Sequence, residues 1–201
     1  MKYLAIDTSG THLSVVVFDG EKVHTKFDAD CHLLHSVSLM PAVEEVLTTA
    51  SVTVEDLDFI AVVIGAGSFT GIRIGVSTAK ALGYAKNKPI LGVTSFDALA
   101  YNIDSGKVLA VIDAKHGNYY VAGYEDKKLI VSPTFITFDE LVKLSNEYTI
   151  ISNDELSINY QKADLLNGLI KAVEDKKEQV TFEYEKVEPL YVRKSQAEEG
   201  R

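Results

Sequence analysis

The chain has no tryptophan, one cysteine, two methionines and four prolines among its 201 residues. The lone Cys31 cannot close an internal disulfide, which excludes a stapled secreted scaffold and fits a reducing compartment. With 46% apolar and 24% charged residues, collagen-like and disordered chains are excluded as well. Long hydrophobic runs are missing. Stretches such as Phe59 to Ile64 are strand-length, far from the roughly 20 residues of a bilayer span, and the opening Met1–Ile6 run meets Asp7 before an h-region is complete. The expectation is a soluble cytoplasmic protein with no membrane partner. Positive charge is also in deficit: 20 basic against 29 acidic residues give a net charge of -9. That is the wrong sign for gripping a phosphate backbone unaided, so any nucleic acid would have to be held through a partner.

What is present is a regular alternation of strand and helix signals. Tyr3 to Asp7 is a short apolar run closed by an acid, followed by turn residues Thr8 to Thr11. Leu13 to Phe18 is β-branched, Asp19-Gly20 marks a hairpin, and Lys22 to Phe27 alternates, which gives three antiparallel strands. Ser36 to Ala50 places Val37, Met40, Val43 and Leu47 at helical spacing, with Pro41 expected to kink the helix or to mark its first turn. Asp58 to Ile64 reads as a strand buried on both faces, Gly65 to Gly71 as a glycine-rich loop and Ile72 to Lys86 as a second helix. Asn87-Lys88-Pro89 stops that helix, and Ile90 to Val93 and Phe96 to Tyr101 add a strand and a short helix.

The second half repeats the opening. Setting Asp7 over Asp113 aligns Leu4–Gly20 with Ala110–Asp126 without a gap, and a third strand near Leu129 to Val131, a helix near Phe138 to Asn146 and a strand at Tyr148 to Ser152 follow in the same order. So long a period means two related lobes rather than a solenoid. The expected division is 1–103 and 104–201. Glu155 to Lys177 is mixed helix, Thr181 to Glu185 an edge strand or linker, and the residues after Arg193 a polar, mobile tail.

Four features bear on chemistry. Asp7, Thr8 and Ser9 form a strand-end turn like those with which actin-, hexokinase- and Hsp70-like proteins handle metal and phosphate. The corresponding Asp113–Asn118 turn lacks the early glycine, so a small-molecule kinase or ATPase of that superfamily is the weaker alternative. Gly65, Gly67, Ser68, Phe69, Thr70 and Gly71 precede a helix whose N-terminus could receive an anion, but the spacing is neither that of a dinucleotide loop nor that of a Walker loop. A tight turn with positive φ and close packing is favoured. Gly75, Ala79 and Gly83 leave one helix face nearly bare, ready either for a partner helix or for the chain's own sheet. Cys31, His32 and His35 lack further ligands nearby, which argues against structural zinc.

The run Gly65-Ala66-Gly67-Ser68-Phe69-Thr70-Gly71-Ile72-Arg73-Ile74-Gly75 resembles the TsaB (YeaZ) family. So do Ala5-Ile6-Asp7-Thr8, His35-Ser36 with Pro41, Ile112-Asp113-Ala114 and Glu188 to Arg193, although Ala66 replaces the usual proline. The resemblance implies an α/β, actin-like (ribonuclease H-like) duplicated two-lobe fold without catalytic capacity of its own. The metal-binding His-x-x-x-His of the paralogue TsaD is missing, since His32 and His35 are one residue too close. It further implies pairing with TsaD and TsaE in threonylcarbamoyl transfer to tRNA, a homodimer where TsaD is absent, and no cofactor beyond the ATP and metal of the partner subunits. The implied partner surface covers Ser36 to Leu47 and Ile72 to Tyr84. It would use His35, Met40, Val43, Leu47, Ile72, Arg73, Gly75, Val76, Ala79, Lys80 and Gly83, with the bare Gly75-Ala79-Gly83 strip as its centre.

Overall fold

Burial on both faces decides which strands sit at the centre. In the computed structural model, which describes residues 1–193, all five residues of β1 (Tyr3–Asp7) and of β4 (Phe59–Val63) are buried. These strands lie side by side in parallel, with β2 (Leu13–Phe18) and β3 (Val23–Asp28) added antiparallel on one flank and β5 (Ile90–Val93) parallel on the other. The order is β3-β2-β1-β4-β5. Helices α1 (His35–Thr49) and α2 (Phe69–Lys86) cover the face formed by Leu4, Ile6, Leu13, Val15 and Val17. A short helix α3 (Ser95–Ala100) follows β5.

The second sheet is built from β6 (Lys107–Asp113), β7 (Asn118–Glu125), β8 (Lys128–Thr137), β9 (Thr149–Ser152) and β10 (Gln161–Lys162), with α4 (Phe138–Leu144) after β8 and α5 (Leu165–Lys176) after β10. Its order, β8-β7-β6-β9-β10, is that of the first sheet strand for strand, so the duplicated actin-like fold is present. The gapless alignment is one residue out in its first strand. The side chains packed with the helix after the third strand are Leu4, Ile6, Leu13 and Val15 in one sheet, and Leu109, Val111, Tyr119 and Val121 in the other. Ile112, which pairs with Tyr120 as Asp7 pairs with Ser14, is therefore the counterpart of Asp7. The sequence match lined up two acids, whereas the pleat lines up faces, and a one-residue slip exchanges them.

The chain separates into one unit of Met1–Thr94 with Val173–Leu190, and another of Ser95–Ala172 joined by residues 191–193. The expected boundary after residue 103 is thus displaced at both ends. Helix α3 belongs to the second unit, where buried Asp97 accepts a hydrogen bond from the Tyr124 hydroxyl at 2.9 Å. The segment after α5 returns to the first. Thr181 and Ile90 exchange backbone bonds at 2.8 and 2.9 Å, Val187 joins the core, and the Leu190 N–H donates to the Ile64 carbonyl at 2.7 Å. Thr181 thereby makes a single bridge at the β5 edge where a strand or linker was expected, and the expected polar tail lies outside the described residues.

Helix α1 runs from His35 straight through Pro41, which does not mark a first turn. Helix α2 starts at Phe69, three residues earlier than expected, because the Ser68 hydroxyl accepts from the Gly71 N–H at 3.2 Å and caps the end. It ends at Asn87 in the left-handed region, φ 49°. There the Lys88 N–H donates to the Gly83 carbonyl at 2.8 Å, and the Tyr184 hydroxyl, 3.1 Å from that carbonyl and 3.0 Å from the Lys88 carbonyl, ties the segment after α5 to the helix end. No helix among the described residues is long and apolar enough to cross a membrane. Tyr184→Phe should lower the unfolding free energy by about 1 kcal/mol, read as a shift of the urea midpoint; an unchanged midpoint would show that the helix end does not need the phenol.

Candidate functional site

The β1–β2 turn and the glycine loop form one joint. After β1 the Asp7 carboxylate turns inward, accepting from the Ser9 N–H at 2.8 Å and from His12 Nε2 at 2.9 Å. Burial opposes its charge, yet the His12 imidazole and the Ser9 donors hold the carboxyl below its ordinary range. The Thr8 hydroxyl donates to the Gly71 carbonyl at 2.7 Å, and the Ser68 N–H to the Ser9 carbonyl at 2.6 Å. A Cβ on Gly67 would collide with the Ser9 carbonyl, and one on Gly71 with that of Thr8. Gly65 and Gly67 have φ of 113° and 147°. The glycines therefore serve positive φ and backbone contact, as the spacing favoured, and press the loop against the turn.

The same packing decides the bare strip. Gly75, Ala79 and Gly83 are buried, and a Cβ on Gly75 would stand 2.5 Å from Thr8 Oγ1 and 3.5 Å from Val62, while one on Gly83 would stand 2.8 Å from Ile90. The strip faces the chain's own sheet. Its expected place at the centre of a partner surface is corrected, because a face already filled by β1, β4 and β5 has nothing left to offer. Ile72, Val76, Val43 and Leu47 are corrected with it, since all four belong to the same core. His35 is buried too, its Nε2 2.8 Å from the His12 carbonyl.

Turning α1 around shows what remains outside. Of the apolar residues read as one stripe, Val43 and Leu47 point inward, but Val37 is 64% and Met40 47% exposed. Leu33, at 83%, and Leu34 extend the patch ahead of the helix. Leu33 and Leu34 carried a usable signal that went unread: two leucines before a helix whose buried face is already complete. On α2, Arg73 is exposed with its guanidinium 3.8 Å from the Phe69 ring centre, Lys80 is half-buried, and Phe69 and Tyr84 are exposed.

The remaining candidates do not come together. Cys31 is buried, His32 is exposed and His35 is engaged, and among the described residues no group of three or more His, Cys, Asp or Glu side chains is placed to hold a metal. Asp113 accepts from the Lys115 N–H at 2.7 Å, repeating the local turn of Asp7 one position later, and from the Lys115 ammonium at 2.8 Å. Gly117 (φ 73°) follows Lys115 and His116, both also left-handed, in an exposed hairpin.

Two outcomes follow from the joint. Gly75→Arg should unfold the chain rather than leave a folded monomer, because the side chain has no exit; cooperative melting at the parent's temperature would contradict the packing. Asp7→Asn should cost about 2 kcal/mol near pH 5. Because the folded carboxyl titrates lower than the unfolded one, its contribution is complete above the ordinary carboxylate range and fades as the pH falls through the lowered value. Urea titrations of both proteins between pH 5 and pH 3 should show the gap closing; a constant gap would remove the ionic contribution.

The family model described as TsaD, tRNA N6-adenosine threonylcarbamoyltransferase, matches residues 29–188. The tRNA threonylcarbamoyladenosine biosynthesis protein TsaB of Escherichia coli K12 is 30% identical over 165 residues, 75% of this chain and 71% of that protein. The TsaB of Bacillus subtilis 168 is 36% identical over 129 residues, 63% of this chain, and that of Buchnera aphidicola 34% identical over 125 residues, 60% of this chain. These alignments span 56% and 59% of the two relatives' own lengths. Among solved structures, YeaZ from Pseudomonas aeruginosa superposes with a TM-score of 0.75 at 22% identity, covering 94% of this chain and 99% of that one. The fold, the family model and the curated relatives agree, and the chain belongs to the TsaB (YeaZ) family of tRNA threonylcarbamoyladenosine biosynthesis proteins.

Proposed function

We propose that this chain is a non-catalytic scaffold and activator subunit. It binds TsaD, with TsaE joining, so that a threonylcarbamoyl group is delivered to the adenosine beside the anticodon of tRNAs reading codons that begin with A. The observation that carries this reading is the apolar patch of Leu33, Leu34, Val37 and Met40, left open on α1 although the helix has already filled its core face. Side chains of this kind, contiguous and flanked by polar residues, mark protein interfaces. Met40, Arg73 and Lys80 keep their place on the expected surface, and Leu33, Leu34, Val37 and Tyr84 replace the buried residues.

The state of Asp7 supports the non-catalytic half of the reading. A carboxylate that is to handle a metal ion has to reach it, whereas Asp7 is buried and each of its oxygens is directed into the turn, toward Ser9 and His12. ATP and metal are accordingly assigned to the partner subunits, in the cytoplasm. The net charge of -9 leaves contact with tRNA to the complex. In the absence of TsaD, the same patch would join two copies of this chain, since one surface can serve self and paralogue.

Val37→Asp places a charge on a side chain that touches no core, so the variant should fold and melt like the parent. It should nevertheless lose association with TsaD by at least tenfold and fail to stimulate tRNA modification in the reconstituted system. Undiminished co-elution of the folded variant with TsaD on size-exclusion chromatography would sink the assignment of this face.

A further inference from the structure

The sequence contains a single Asn-Gly pair, Asn167-Gly168, and the fold places it in the first turn of α5, wholly within the second unit. Asn-Gly is the dipeptide most open to loss of the asparagine amide, because glycine has no Cβ to shield its own nitrogen. We propose that Asn167 is a deamidation site gated by α5. It is silent while the first turn is closed, reacts once the turn opens, and yields an isoaspartyl product with which the turn cannot close again.

Two sets of contacts keep the turn closed. The Asp164 carboxylate caps the helix by accepting from the Asn167 N–H at 3.0 Å, and the Asp164 carbonyl accepts from the Gly168 N–H at 2.9 Å. The Asn102 side chain, just past α3, joins the two helices: its oxygen accepts from the Asp164 N–H at 3.0 Å and its nitrogen donates to the Ala98 carbonyl at 2.9 Å. Gly168 is buried there, and a Cβ on it would collide with the Ala98 carbonyl. The Asn167 side chain, by contrast, is exposed, and its amide makes no hydrogen bond among the described residues.

Reaction requires the Gly168 nitrogen to attack Cγ of Asn167. The new C–N bond closes a five-membered succinimide, the Cγ–Nδ2 bond breaks, and ammonia leaves with the proton from the Gly168 nitrogen. Water then opens either carbonyl of the ring, giving aspartate or isoaspartate, and no other co-reactant is needed. In the closed turn the attacking N–H is bonded to Asp164, and a helical ψ of about −42° has to rotate well outside its range before the ring can form. The two products differ in what they do to the fold. Aspartate keeps the backbone and adds a negative charge at a helix N-terminus, which favours it. Isoaspartate routes the main chain through the former side chain and lengthens it by one atom just before Gly168, where the contact with Ala98 leaves no slack. Buried Leu165 and Leu169, on either side of the insertion, then cannot be seated together.

The test follows the full chain at mildly alkaline pH, folded in buffer and unfolded in guanidinium chloride. Peptide mapping reads the change from amide to acid, and isoaspartyl methyltransferase serves as the probe for isoaspartate. Asn167 should deamidate at least tenfold more slowly in the folded chain. Asp164→Ala, which removes the cap, should raise the folded rate at least threefold. Asn167→Asp should melt with the parent, whereas the isoaspartyl fraction, separated by ion exchange, should lose amide-exchange protection in the first turn of α5. Equal rates in the folded and unfolded parent, or an unchanged folded rate in Asp164→Ala, would overturn the gate. An unfolded chain free of isoaspartate at position 167 would overturn the site itself. Parent-like protection in the isoaspartyl fraction would overturn its inability to close.

Discussion

The structure of the first unit depends on how closely a loop can approach a turn. Thr8 and Ser9, at the end of the central strand, are contacted by the glycine loop through the Thr8 hydroxyl to Gly71 and the Ser68 N–H to Ser9, at distances that leave no room for a side chain on Gly67 or Gly71. Because α2 begins at Phe69, this joint sets where the helix enters the sheet. Gly75 and Gly83 continue the approach along the helix, and each would otherwise place a Cβ against Thr8 or Ile90. The conformational cost of two glycines inside a helix, roughly 1 kcal/mol each, is offset by contact between a helix and a sheet that larger residues would hold apart. Asp7 is locked into the same turn by His12 and Ser9, so the position that begins each lobe of actin-like proteins here closes a structural joint.

Much of this was legible from residue order alone. Strand signals at Leu13 to Phe18 and Ile90 to Val93 were read at their observed bounds because alternation and turn residues are local. The duplication was legible as well, and both sheets carry the same strand order. What local reading missed is what depends on direction. Aligning Asp7 with Asp113 matched chemistry, but Ile112 occupies the equivalent pleat position, and only strand pairing shows it. Val37, Met40, Val43 and Leu47 fit a single helical period, yet two of them face the core and two face solvent, because the core face is shared with His35, Leu39, Ala42 and Val46. A smooth glycine strip is equally suited to a helix or a sheet, and sequence spacing carries no information about which arrives.

The return of the C-terminal segment had no local signal either. Val173–Leu190 belongs to the first unit through Thr181 at Ile90, Tyr184 at the end of α2, Val187 in the core and Leu190 at Ile64. These contacts fall at the end of α2 and at the strand that leads into the glycine loop. Helix α2 is thus held at both ends by residues distant in sequence: at its start by Thr8 and Ser9, at its finish by Tyr184. A helix fixed in this way presents its outer residues, Arg73 and Tyr84 among them, in a set position, and preorganisation of that kind lowers the ordering cost of association.

The two faces of α1 and α2 are therefore complementary in role. Whatever small and apolar side chains the inner faces require, the sheet consumes, and the residues left outside differ in character, with an apolar row from Leu33 to Met40. A solvent-exposed helix would ordinarily carry charged residues in those positions. Here the exposed row is apolar, although the chain as a whole carries a net charge of -9. A net charge of -9 disfavours nucleic acid and other acidic surfaces, and on the proposed reading the apolar row supplies the contact that a protein partner would bury. On the proposed scaffold reading, recognition of the partner would fall to this chain and recognition of the phosphate backbone to the other subunit.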